Sequence, residues 1–267
     1  MSWGVTTKRR FWRYVDMNSL SKNQLKALAA YRMQKRCDEE GVFVVEGVKM
    51  CTEALLSGIA IRTVCGTAEW LQGHSGQMAQ CGEIYEVSAE QLERLSLMRT
   101  PHKVWMVVER KIQNSKFKIQ NSNLLLALDG LQDPGNMGTI LRTADWYGIR
   151  NIVCSRDTVS CYNPKVVQAT MGAIFRTRID YCDLVGWLEE AAKEGCATYG
   201  AMLDGEPYQG VALQKPAVLV VGNEGKGIST EVAACVQHRL TIPNIGGTCE
   251  SLNAAVATAI LCSEFYR

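Results

Sequence analysis

The second half of this chain contains short, uninterrupted apolar runs separated by helical stretches, and no other feature restricts its fold so tightly. "LLLALDG" begins at Leu124, "NIVCS" at Asn151, "ATYGAML" at Ala197 and "AVLVVG" at Ala217. A strand with one wet face alternates apolar and polar residues, whereas a run that stays apolar is buried on both faces. Between these runs lie "NMGTILRTADWYG", "NPKVVQATMGA" and "DLVGWLEEAAKEG", which carry apolar residues at helical spacing. The alternation predicts a mostly parallel α/β sheet covered by helices. Ligands of such sheets bind at the carboxyl ends of the strands, where the glycine-rich segments of this chain fall.

The first part repeats the theme on a smaller scale. Residues 19–36, "SLSKNQLKALAAYRMQKR", read as one amphipathic helix capped by Ser19 or Ser21. "GVFVVEG", "IRTVCG", "EIYEVS" and "KVWMVVE" read as strands, and "VKMCTEALLSG" and "AEQLERLSLM" as helices, the former ending at Gly58. Residues 1–108 therefore form a smaller α/β module with an amino-terminal extension. "KIQNS" then occurs twice, at 111–115 and 118–122. Two copies are too few for a solenoid, and the polar, basic segment 109–122 reads as a linker to a second module over 123–267.

Charge and cysteine usage narrow the class. The net charge is only +2, yet Lys8, Arg9, Arg10, Arg13, Lys22, Lys26, Arg32, Lys35 and Arg36 crowd the start, interleaved with Trp3, Phe11, Trp12 and Tyr14. Cations attract phosphates and aromatic rings stack on bases; a solvated helix face explains the same residues. The eleven cysteines are odd in number and scattered, with no metal-binding spacing. They read as reduced, mostly buried thiols in a cytoplasmic protein. No apolar stretch reaches the roughly 18 residues of a membrane span. With three histidines in all (His74, His102, His238), imidazole catalysis is disfavoured.

"LVVGNEGKGIS" (219–229) looks at first like a phosphate loop. It fails the Walker pattern because Gly225-Lys226 is followed by Gly227, and it fails GxGxxG because Thr230 stands where the last glycine belongs. Together with "LDGLQDPGNMGTILRTADWYGI" (128–149) and "LTIPNIGGTCESLNAAVATAI" (240–260), it resembles in order, spacing and content the three motifs of the SpoU, or TrmH-like, RNA ribose 2′-O-methyltransferases of the SPOUT superfamily. The first module more loosely resembles that family's ribosomal-protein-like RNA-binding domain.

The resemblance implies a SPOUT-type sheet with a carboxy-terminal trefoil knot, S-adenosylmethionine as cofactor, structured rRNA or tRNA as substrate with rRNA favoured, a homodimer through the catalytic module, and no metal. The reaction so implied is attack of a ribose 2′-oxygen on the methyl of a sulfonium. Arg142 matches the family's leading candidate for activating the 2′-hydroxyl. A free guanidinium has a pKa above about 12, so fixing a phosphate or stabilising the developing alkoxide suits it better than acting as a base. Read from the helix alone, Arg142 pairs with Asp145 at i+3. Asn136, by resemblance a member of the catalytic site, is expected to cap the helix that carries Arg142, with Gly138 leaving room for a close neighbour on the Arg142 face. Glu224 is expected to orient Arg142 or a polar group of the third motif, unless it is a surface turn acid. Ser251 and Asn253 are expected to open the last helix and shape the active site; Ser251 is also readable as a plain N-cap. By resemblance the cofactor pocket draws on Gly222, Asn223, Gly227, Ile242, Pro243 and Leu252. Lys22, Arg36 and Lys226 are the candidate RNA contacts, Lys226 being equally readable as a solvated lysine. Two other readings stay open: an RNA-binding protein that kept the fold without the chemistry, and a SPOUT base methyltransferase.

Overall fold

The computed structural model describes residues 18–111 and 123–267. The basic, aromatic start of the chain and most of the KIQNS linker lie outside the described residues.

The first sheet has five strands in the order β1-β4-β3-β5-β2. They are β1 (Asn18–Ser19), β2 (Val42–Glu46), β3 (Ile61–Gly66), β4 (Cys81–Glu86) and β5 (Val104–Glu109). β1, β4 and β3 run parallel, while β5 is antiparallel to both β3 and β2. β5 runs one residue beyond the expected boundary at 108. The helices of this half are α1 (Lys22–Ala29), α2 (Gln34–Glu40), α3 (Val48–Ser57), α4 (Ala68–His74) and α5 (Ala89–Leu95).

The single helix expected over 19–36 is two helices. Ser21 caps α1 in a reciprocal bond pattern with Gln24, but Met33 is extended (φ −90, ψ 118) and separates α1 from α2. The break has a packing cause. Leu25, Leu28, Tyr31 and Cys37 all bury in one cluster, and a continuous helix turning about 100° per residue would rotate Cys37 roughly 120° away from Leu25. Re-phasing at Met33 brings Cys37 back to the core. The two-residue β1 and α4 carry too little periodic pattern to be recognised in sequence.

The second sheet has six strands, all parallel, in the order β11-β9-β10-β6-β7-β8. They are β6 (Leu124–Leu128), β7 (Asn151–Ser155), β8 (Arg178–Cys182), β9 (Ala197–Pro207), β10 (Ala217–Val221) and β11 (His238–Thr241). Its helices are α6 (Pro134–Trp146), α7 (Pro164–Ala169), α8 (Leu184–Lys193), α9 (Thr230–Ala233) and α10 (Ala254–Phe265). The continuous apolar runs are explained directly. Leu124, Leu126 and Leu128 of β6 face the cluster that contains α6 and α10, while Leu125 and Ala127 face the one that contains α8 and α9. β10 divides the same way, with Ala217, Leu219 and Val221 on one side and Val218 and Val220 on the other.

All eleven cysteines are free thiols and most are buried. Burial pushes the thiols of Cys65, Cys161 and Cys262 up to about 12, so they are protonated at neutral pH. Among the described residues no helix is long and apolar enough to cross a membrane.

Candidate active site

At the carboxyl ends of β9, β10 and β11 the chain encloses a cavity of about 390 Å³. Its walls are residues 201–204 from β9, 221–228 from the last residue of β10 onward, 240–242 at the end of β11, and 250–252 with the inner face of α10. The glycine-rich turn builds itself first. Asn223 and Gly227 exchange two backbone hydrogen bonds of 2.9 Å each. The Asn223 side chain accepts from the Gly225 and Lys226 amides at 2.9 and 3.0 Å and donates to the Gly130 carbonyl at 2.8 Å. Gly227 is left-handed (φ 70). At Gly222 a Cβ would stand 2.2 Å from the Gly227 carbonyl carbon and 2.3 Å from the Ile228 nitrogen. Its lack of a side chain thus serves the chain's own fold-back rather than the approach of a ligand.

Three loops then join through polar side chains. Asn253 donates to Asn136 Oδ1 at 2.8 Å, and Asn136 donates to Glu224 Oε1 at 2.9 Å. Glu224 also accepts from the amides of Asp133 at 3.3 Å and Gln132 at 3.5 Å. The carboxylate therefore sits at the amino end of α6, where the helix dipole favours negative charge. The sequence expectation is corrected in two places. Asp133 caps α6 by accepting from the Asn136 amide at 2.7 Å, with Pro134 at the first helical position. This leaves the Asn136 side chain free to bridge Asn253 and Glu224. Asn253, not Ser251, caps α10, accepting from the amides of Ala255 and Val256.

Arg142 lies two turns into α6, exposed, and forms no hydrogen bond or ion pair with any described residue. Its expected partner Asp145 is instead held by Arg150 and Arg176, so the simple i+3 pairing does not occur. Gly138, one turn before Arg142, packs against α7, where a Cβ would come within 2.4 Å of the Ala169 Cβ.

Of the expected pocket residues, Gly222, Asn223, Gly227, Ile242 and Leu252 line the cavity together with Glu224, Lys226 and Ser251. Pro243 follows the lining, and Arg142, Asn136 and Asn253 stand outside it. Lys22 opens α1 on the surface of the other sheet. Arg36 is paired with Glu40, which leaves it less available than its sequence context suggests. Residues 201–204, Thr241 and Glu250 also line the cavity. They were not anticipated, although 201–204 continue an apolar run at the carboxyl end of a parallel strand, a signal the sequence does contain. Among the described residues, no group of three or more His, Cys, Asp or Glu side chains is placed to hold a metal ion.

Comparison with known proteins fits this geometry. The model of the SpoU rRNA Methylase family matches residues 123–263, and that of the MRM3-like substrate binding domain matches residues 22–105. The 23S rRNA (guanosine(2553)-2′-O)-methyltransferase RlmP of Bacillus subtilis is 30% identical over 92% of this chain and 97% of its own length. A solved TrmH-family structure from Porphyromonas gingivalis superposes with a TM-score of 0.83 at 40% identity, covering 93% of this chain and 98% of that one. An AdoMet-bound rRNA methyltransferase from Sinorhizobium meliloti superposes with a TM-score of 0.81 at 28% identity, over 93% and 96% of the two chains. With the second and third motifs lining one cavity, the first tied to both through Asn136, and the match spanning both sheets, the chain belongs to the SpoU rRNA Methylase family.

Proposed function

We propose that this protein transfers a methyl group from S-adenosylmethionine to a ribose 2′-hydroxyl of RNA, with rRNA favoured over tRNA. The observation that carries the reading is the line Asn253–Asn136–Glu224, which ties the three motifs together at the edge of the cavity.

The cavity suits the cofactor. Its volume falls within the roughly 300–1,000 Å³ of small-molecule sites. Val221, Leu240, Ile242 and Leu252 give apolar wall for a purine, and Glu224 and Glu250 bring carboxylates near a cation. When bound, S-adenosylmethionine supplies an electrophilic methyl group. The protein's own part is to hold and orient. Glu224 and Asn253 fix Asn136 between them, and with it the relative position of α6 and α10. Arg142, exposed and without an ion-pair partner among the described residues, is available to grip an RNA phosphate or to stabilise charge on the 2′-oxygen. Ser251 lines the cavity wall and is available there to donate a hydroxyl. Pro243 keeps its proposed share in the pocket as the residue directly after Ile242 of the cavity wall.

RNA recognition is assigned to residues 1–108, with Lys22 and Lys226 as phosphate contacts and Arg36 in a lesser role. A cytoplasmic location belongs to the same proposal. So does the carboxy-terminal knot, supported by the route of the chain: β11 lies beyond β9 at one edge of the sheet, and residues 242–253 then return the chain to α6.

The protein acts as a homodimer through α6 and α10. These helices run side by side in the same direction, since Asn136 meets Asn253 at their starts and Tyr147 stacks on Tyr266 at 5.4 Å at their ends. Trp146 is 86% exposed and Val256 48% exposed, and α10 is apolar around most of its circumference, as suits a helix covered on several sides. A partner subunit seated there would lie near Arg142. Trp146→Glu should then shift the sedimentation coefficient from dimer to monomer.

The activity test uses labelled S-adenosylmethionine with unmodified rRNA and tRNA transcripts. Arg142→Ala should abolish methyl transfer while cofactor affinity, read by isothermal titration, stays within about twofold. Near-normal turnover by that variant removes Arg142 from the mechanism, and absence of cofactor binding by the wild type favours an RNA-binding protein without chemistry.

A further inference from the structure

Residues 170–176, after α7, form the joint between the two halves of the chain. Met171 is left-handed (φ 50) although it carries a side chain, and Gly172 beside it is left-handed too (φ 99). Such backbone persists in side-chain-bearing residues only where the surroundings over-determine it. Here α3 of the first half presses on the turn: a Cβ at Gly172 would stand 2.9 Å from Glu53 Cγ. Arg176 then joins three elements. Its Nη1 donates to Glu53 Oε2 at 2.5 Å, and its Nε donates to Asp145 Oδ2 at 2.8 Å. Glu53 belongs to α3, and Asp145 to α6, the helix that contains Asn136 and Arg142. Arg150 backs the arrangement by donating to Asp145 Oδ1 at 3.1 Å.

Apolar contacts follow the same joint. Val167, Ile174 and Phe175 bury in one cluster with Phe43, Met50 and Ala54 of the first half. The Phe43 ring lies 4.9 Å from that of Tyr162 and 6.3 Å from that of Phe175. Lys111 donates to the Phe175 carbonyl at 2.6 Å.

We propose that Arg176 is a positioning residue that sets the RNA-binding half at one fixed orientation to α6, so that RNA held by the first half meets Arg142 on a preorganised surface. This rests on the RNA methyl-transfer reading above. A planar guanidinium holds two carboxylates on two elements in a fixed fork geometry, whereas a lysine ammonium is a point charge on a flexible stem that fixes their relative orientation less well. RNA that touches both halves gains from their fixed spacing, because the second contact forms at high effective concentration once the first is made.

The test compares wild type, Arg176→Ala, Arg176→Lys and Glu53→Gln in the full chain, using an unmodified rRNA transcript as substrate. Loss of preorganisation should raise the KM for RNA about tenfold in Arg176→Ala and Glu53→Gln and about threefold in Arg176→Lys. Both kcat and the Kd for S-adenosylmethionine should change less than twofold, since neither carboxylate touches the cavity. Spin labels introduced as unnatural residues at exposed Gln72 and Lys193 should give one narrow distance distribution in the wild type and a broad one in Arg176→Ala. A lower Tm with unchanged RNA KM would make Arg176 merely stabilising and overturn the proposal. So would a rise in cofactor Kd in step with RNA KM, or a distance distribution unaltered by the substitution. Glu53→Gln, a smaller change, decides the question if Arg176→Ala does not fold. If wild-type protein methylates no RNA, the activity reading fails, while the distance measurement still decides whether Arg176 fixes the two halves.

Discussion

Replacing Asn136 with alanine removes the middle of the line that joins the three motifs. Two bonds are lost, the 2.9 Å donation to Glu224 and the 2.8 Å donation from Asn253. A hydrogen bond to a charged group contributes about 1.5–3 kcal/mol and a neutral one about 0.5–1.5 kcal/mol. Both bonds lie near solvent, so the low ends apply and the total is about 2 kcal/mol. If that energy goes into holding the reacting arrangement, kcat/KM falls roughly thirtyfold. Asn136→Asp is the sharper test, because it sets a second carboxylate against Glu224 and converts an attraction into a repulsion. Its loss should exceed that of Asn136→Ala, reaching roughly a hundredfold. The assay is initial-rate transfer of labelled methyl to RNA, with thermal unfolding alongside to confirm that each variant is folded. Activity of Asn136→Ala within threefold of wild type, or of Asn136→Asp above that of Asn136→Ala, would refute the reasoning.

Gly222→Ala places a Cβ 2.2 Å from backbone at Gly227 and should cost about 3 kcal/mol, lowering Tm by roughly 6–12 °C. Gly227→Ala meets no atom within 4 Å but must keep φ 70, so it should cost only about 1 kcal/mol; equal losses in calorimetry would contradict the fold-back account. The Tyr31 hydroxyl first, and Arg36 and Arg62 after it, hold the Glu40 carboxyl below its ordinary value of 4.5. The stability this adds is present above pH 4.5 and is lost as pH falls through the folded value. Glu40→Gln should therefore flatten the acid limb of a Tm-against-pH curve, and an unaltered limb would assign it to other groups. Cys249 is the exposed thiol among the eleven and sits beside the cavity wall at Glu250. Iodoacetamide should modify it first, and S-adenosylmethionine should slow that modification; equal rates with and without cofactor would place the ligand elsewhere.

The sequence carried the second sheet plainly because burial on both faces leaves strands such as 124–128 and 217–221 no room for polar residues. It carried the site because each motif concentrates glycine and polar residues where a parallel strand ends. What it hid depends on contacts distant along the chain. Nothing local to Asn136 says that Asp133 will cap α6 and free its amide for Glu224, 88 positions away. The break at Met33 answers to the burial of Cys37, and residue 176 reads as an ordinary basic residue until α3 and α6 are placed around it. β8, "RIDYC", was missed because it is only partly buried and includes the Arg178–Asp180 pair, so it lacks the unbroken apolar run of its neighbours.

The most direct measurement is nucleoside mass spectrometry of rRNA incubated with the wild-type protein and S-adenosylmethionine carrying a deuterated methyl. The account predicts a deuterated methyl retained on the ribose of one nucleoside, absent with Arg142→Ala. A deuterated methyl on a base, or none on any RNA tested while the cofactor still binds, would contradict it.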